Sequence, residues 1–127
     1  MEQTARKKAQ AEFRRRIYAY VLRLIRFLTR LPNDPVVREI KPQLTRSGTS
    51  IGANYFEGIG SPSSKEFGRY LSYSLKSSNE TKFWLALLRD SEILDAAVAT
   101  EADELLKETK EIANILAASL RTMKAKV

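Results

Sequence analysis

Apolar residues recur along this chain at the period of an α-helix, and no segment alternates polar and apolar as a half-buried strand would. Phe13, Ile17, Tyr20, Leu24, Phe27 and Leu31 are spaced by four, three, four, three and four residues. That is the heptad-like seam of a helix that packs against others. Val21, Ile25 and Leu28 widen it into a broad core face. Leu31-Pro32 ends the segment, because the residue before a proline avoids the helical region.

Three further segments follow. Asp34-Pro35 offers a cap and a proline suited to the first helical position. Ile40, Leu44, Ser47, Ile51 and Tyr55 then carry the period to Gly58. Pro42 falls inside this pattern, so the helix either bends there or begins near it. Small residues at Ser47, Gly48 and Gly52 imply close approach of another backbone, from the same bundle or from a second subunit. Gly58-Ile59-Gly60-Ser61-Pro62-Ser63 is a strong breaker. Gly58 or Gly60 could supply a left-handed cap, and Ser63 with Glu66 resembles a capping box. The third helix has an inner seam of Phe67, Leu71, Ser74, Ser78, Thr81, Leu85 and Leu88. Residues 90–100 hold a turn with a short apolar extension. Leu105, Ile112, Leu116 and Leu120 mark the fourth helix.

The chain has 127 residues, enough for one domain spanning 1–127. Four helices at roughly 5–31, 35–58, 64–89 and 100–123, with short links, predict an all-α fold, an antiparallel up-down four-helix bundle. At 43% hydrophobic the chain can bury a real core.

Chemistry is conspicuous by what is missing. There is no His and no Cys, which removes the commonest general base, metal ligand and thiolate nucleophile. Glu57 and Glu80 are the acids expected to face inward, and without His they cannot complete a metal site of the bundle type. The aromatics Tyr70, Tyr73, Phe83 and Trp84 sit at helical spacing and read as core rather than as a stacking platform. The expectation is a protein that is not an enzyme, with no catalytic residues, no metal and no cofactor. The start lacks an apolar core, so no signal peptide is expected. Arg23, Arg26 and Arg30 interrupt the most apolar stretch, so no membrane span is expected either. A cysteine-free chain suits the cytoplasm.

Charge narrows the partner class. The net charge is +7, and the first 31 residues hold nine bases and two acids, so the remaining 96 sum to zero. Arg16, Arg23, Arg26 and Arg30 fall within about an 80° arc beside the apolar seam at about 100° per residue, with Arg15 at its edge. Such a stripe can track a polyanion. The fourth helix begins acidic, with Glu101, Asp103, Glu104, Glu108 and Glu111, and could mask part of it within or between subunits.

One stretch has a family resemblance. Gln43-Leu44-Thr45-Arg46-Ser47, Ser50-Ile51-Gly52-Ala53-Asn54, Glu57-Gly58, Ser64-Lys65-Glu66-Phe67 and Ser77-Ser78-Asn79-Glu80 resemble the four helix bundle protein family. Its first members were noticed as reading frames inside intervening sequences of 23S ribosomal RNA genes. The resemblance implies a homo-oligomer, a pentameric ring. A related branch is accessory to diversity-generating retroelements and binds nucleic acid and a reverse transcriptase. The residues that match the motif, Arg46, Ser50, Asn54, Glu57, Ser77 and Glu80, are expected to form a polar packing network. Ser61 departs from the family, where a basic residue is common.

Two functions are therefore weighed. The first is a non-catalytic oligomer that binds structured RNA or an RNA–DNA hybrid through Arg14, Arg15, Arg16, Arg23, Arg26 and Arg30, in support of a reverse transcriptase. The second is a structural or protein-interaction oligomer in which the basic helix forms salt bridges between subunits. A membrane-surface role for the first helix ranks third, because leaving the bundle would strip the core of one wall. What separates the first two is whether Arg16, Arg23, Arg26 and Arg30 lie in solvent or against Glu101, Glu104 and Glu108.

Overall fold

A computed structural model of the chain describes residues 2–125. It consists of four helices: α1 (Glu2–Thr29), α2 (Pro35–Ile59), α3 (Ser64–Asp90) and α4 (Ala96–Ala125). No strand occurs among the described residues. Each helix packs against two others, α1 on α2 and α4, and α3 on α2 and α4.

Helix ends follow local chemistry. Asp34 caps α2, its carboxylate accepting from Val36 N at 2.8 Å and Val37 N at 3.2 Å. Ser63 caps α3 by accepting from Glu66 N at 3.2 Å. At the end of α1, Arg30 N and Leu31 N bond to carbonyls three residues back, so the helix tightens and stops two residues before its expected end. Helix α4 starts at Ala96 rather than near Thr100, because Asp95 caps it by accepting from Val98 N at 2.9 Å. Helix α2 is continuous through Pro42. That residue lies on the exposed face, where water can serve the carbonyl that loses its donor.

The α2–α3 turn corrects one expectation. No described glycine has positive φ, and Gly60, the C-cap, is right-handed at φ −88° and ψ −2°. Gly58 is needed for contact instead. A Cβ there would lie 2.9 Å from Tyr70 Cβ, so α2 and α3 touch through its missing side chain. Gly48 does the same for α1, since its Cβ would collide with Leu24 Cδ2. Gly48 and Gly58 thus serve packing inside one bundle.

Ile17, Leu24, Leu44, Ile51, Leu71, Leu85, Leu105, Ile112 and Leu116 form the center of the core. Ser47, Ser74, Ser78, Thr81 and Thr109 are buried with them, and every buried polar side-chain atom among the described residues has a partner. Ser74 Oγ donates to the Ile51 carbonyl across the α2–α3 interface at 2.8 Å. Thr81 Oγ1 lies 2.7 Å from the Ser77 carbonyl and 2.9 Å from Ser47 Oγ. A hydroxyl has one proton to give. Thr81 shares that proton between the two acceptors, and Ser47 Oγ gives its own to the Leu44 carbonyl at 3.4 Å. The polar seam of α3 is therefore a small-residue contact surface with its hydrogen bonds complete.

Candidate nucleic-acid interface

Helix α1 buries Ile17, Tyr20, Leu24 and Phe27, and that orientation decides which way its bases point. Tyr20 anchors it to α4. Its hydroxyl lies 2.5 Å from Thr109 Oγ1, which itself donates to the Leu105 carbonyl at 2.6 Å, so Tyr20 is the donor. Burial pushes the Tyr20 phenol well above its ordinary value.

Beside this anchor, two arginines one heptad apart meet four glutamates of α4. Arg16 grips Glu108 with two bonds of 2.8 Å and reaches Glu111 at 2.8 Å. Arg23 grips Glu101 at 2.8 and 3.2 Å and reaches Glu104 at 2.6 Å. The fork-on-carboxylate geometry is the strongest form of such a pair. The Arg23 guanidinium holds the Glu101 carboxyl below its ordinary value, and Arg16 does so for Glu108, in each case against opposing desolvation. Two positive charges face four negative ones, so this flank of α1 is not a cationic surface.

The outward side of the helix differs. Arg14, Arg15, Arg26 and Arg30 are exposed, and no carboxylate among the described residues lies within ion-pair distance of them. Arg14 lowers the pKa of Tyr55 electrostatically, against the larger effect of burial, and Arg30 adds to the field that keeps Glu101 ionized. At about 100° per residue, Lys8, Arg15 and Arg26 lie within about 20° of one another, on the side away from Ile17. They form a ridge about 27 Å long at 1.5 Å per residue. Lys8 was not among the sequence candidates, although a helical projection centered on Ile17 would have found it.

The motif residues do not form one connected network. Arg46 and Glu80 are ion-paired across α2 and α3, and the same Glu80 oxygen accepts from Trp84 Nε1 at 3.1 Å. Ser50 Oγ donates to the Arg46 carbonyl at 2.7 Å and Asn54 Nδ2 to the Ser50 carbonyl at 2.9 Å, both local to α2. Ser77 contributes its carbonyl to Thr81. Glu57 is exposed rather than inward, because Tyr55 and Gly58 take the buried positions of that turn.

Two apolar rows remain in solvent. On α1 and α2, Tyr18, Ile25 and Phe56 are 59%, 43% and 39% exposed, and Tyr18 and Phe56 flank a shallow groove over Gly52 and Ala53. Ile25 was expected in the core, and the projection turns it outward. On α3, Tyr73, Phe83 and Leu87 form a second exposed row. Tyr73 and Phe83 therefore also depart from the expectation that they are core. Among the described residues no helix is long and apolar enough to cross a membrane, and no cluster of acidic side chains could hold a metal ion.

A sequence model of the 23S rRNA-intervening sequence protein family matches residues 9–118. A solved structure of similar fold is a protein of unknown function from the S23 ribosomal protein family of Bacteroides thetaiotaomicron VPI-5482. It is 28% identical, with a TM-score of 0.75 over 85% of this chain and 97% of that one. A comparison with curated proteins gives no match.

Proposed function

As the chain belongs to the 23S rRNA-intervening sequence protein family, we propose that it is a non-catalytic, homo-oligomeric nucleic-acid-binding protein. In this reading the antiparallel up-down bundle assembles as a pentamer and binds structured RNA or an RNA–DNA hybrid. The observation that carries the reading is the outward ridge of Lys8, Arg15 and Arg26, flanked by Arg14 and Arg30, which has no carboxylate partner among the described residues. Arg16 and Arg23 are removed from the contact set, since α4 already neutralizes them. Arginine's planar fork suits phosphate. No feature of the ridge reads base edges, so recognition rests on charge and shape.

The two exposed apolar rows support assembly. They lie on different helices, and a contact between unlike faces of successive copies closes a ring when its rotation permits. Five ridges on one particle would multiply individually weak phosphate contacts. A reverse transcriptase is the protein partner that the retroelement branch of the resemblance puts forward for testing.

A second reading, a protein-interaction oligomer with no nucleic-acid role, draws on the same apolar rows. The Arg–Glu pairs lie within one subunit, so it no longer rests on salt bridges between subunits. The deciding experiment titrates a structured RNA hairpin between about 50 and 200 mM salt, with particle mass measured alongside. Binding that weakens steeply with salt, on a particle of several copies, supports the first reading. An oligomer with no salt-dependent binding supports the second.

A further inference from the structure

A cleft of about 890 Å³ opens at the end of the bundle where α1 and α3 begin and α4 ends. Its floor is apolar, made by Phe67, Leu120 and Met123, all half-buried. Its rim carries four cations from three helices: Arg6, Lys65, Arg69 and Lys124. No acid is among the lining residues. Arg69 holds Glu66 at 3.3 Å, whereas the exposed Lys65 and Lys124 have no carboxylate partner among the described residues. Gly68 sits in the floor, where a Cβ would come within 3.3 Å of the Met123 terminal methyl. A glycine inside a helix costs about 1 kcal/mol against alanine, and here it keeps the floor open.

An apolar basin of this size with convergent charges on its rim has the makeup of a small-molecule site. We propose that it binds a small anion with an apolar body, a phosphate or carboxylate carried on an aliphatic or aromatic group. The acidic group meets Lys65 and Lys124 at the rim, with Arg6 and Arg69 beside them. The body lies against Phe67 and Leu120, and Met123, flexible and polarizable, adapts to its shape. The site uses none of the ridge residues Lys8, Arg15 and Arg26, so it stands or falls apart from RNA binding.

Calorimetric titration of the full chain with dodecyl phosphate, below its micellar range, tests this. Saturable binding to each chain is expected, with inorganic phosphate weaker by about tenfold or more, since it lacks the body. Adenosine monophosphate, run beside it, distinguishes an aromatic from an aliphatic body by which of the two binds tighter. Lys65→Glu/Lys124→Glu should weaken dodecyl phosphate by about tenfold or more. Gly68→Leu, which fills the floor and favors the helix, should weaken it without a change of charge. The ridge variant Lys8→Gln/Arg15→Gln/Arg26→Gln should bind dodecyl phosphate as wild type does. Equal binding of dodecyltrimethylammonium, unchanged binding in Lys65→Glu/Lys124→Glu, or no binding of any of these anions would overturn the proposal.

Discussion

The two flanks of α1 carry the same residue type and opposite consequences. On the side toward α4, Arg16 and Arg23 are each held by a pair of glutamates. On the outward ridge, Arg15 and Arg26 have no such partner among the described residues. A few tens of degrees around one helix separate an arginine that fastens two helices from one that can meet a phosphate. Local charge density in a sequence therefore measures supply, and packing decides how much of it faces a partner.

Reversing the ridge should give the largest effect. Lys8→Glu/Arg15→Glu/Arg26→Glu is expected to weaken RNA binding by about 100-fold or more at moderate salt. Its thermal midpoint should stay near that of wild type, because these side chains are exposed and have no carboxylate partner among the described residues. Filter binding and calorimetry on the same preparation check both halves. Loss of folding together with binding would erase the contrast between flanks.

Reversing the other flank should do the converse. Arg16→Glu/Arg23→Glu places two more negative charges among four glutamates and is expected to cost about 2–4 kcal/mol in urea unfolding. The neutral Arg23→Gln should cost about 1 kcal/mol or less, as befits a partly exposed pair. A stability change in the ridge variant as large as in this one would contradict the assignment.

Acid sharpens the comparison further. Glu101 and Glu108 have lowered values in the folded chain, chiefly through hydrogen bonds from Arg23 and Arg16. The unfolded chain therefore binds more protons as pH falls through the ordinary glutamate value, 4.5. Their contribution is present above that pH and is lost as pH drops through the lowered folded values. Arg16→Gln/Arg23→Gln should flatten the stability loss below about pH 4.5, whereas the neutral ridge variant should leave it as steep as in wild type. Urea midpoints between pH 6 and pH 3 measure this.

The smallest effect expected lies away from both flanks. Glu92, in the α3–α4 link, has φ 66°, a left-handed conformation that a non-glycine residue adopts at a cost. Glu92→Gly should raise stability by up to about 1 kcal/mol with RNA binding unchanged, which gives a baseline for a change that touches neither flank.

What could be read from the sequence was whatever is written locally. Helices α2 and α3 were placed to within a residue, because Asp34-Pro35 and Ser63 announce their starts. The beginning of α4 was missed because Ala96 and Ala97 favor a helix without marking its period, leaving Asp95 as the only signal. The glycines of the α2–α3 turn were read for backbone freedom. Gly58 in fact answers to Tyr70, a contact invisible until α3 is in place. The family motif suggests one polar network, whereas Arg46 and Glu80 pair across two helices and Glu57 turns outward. The site was half legible. Seven-residue spacing put Arg16 and Arg23 on one flank, but their partners lie 78 to 95 positions away, and only tertiary packing sets which arginines they reach. The aromatic rows were misplaced for a similar reason, since helical spacing says which residues share a face and not whether that face is covered.

The most direct test of the central claim compares salt dependence in two neutral variants. The slope of log affinity for structured RNA against log salt is measured for wild type, for Lys8→Gln/Arg15→Gln/Arg26→Gln and for Arg16→Gln/Arg23→Gln. Each phosphate-contacting cation removed should lower the slope by about one. The account predicts a slope reduced by up to about three for each bound copy in the ridge variant and nearly unchanged in the other. Equal slopes for wild type and the ridge variant, or a fall confined to Arg16→Gln/Arg23→Gln, would contradict it.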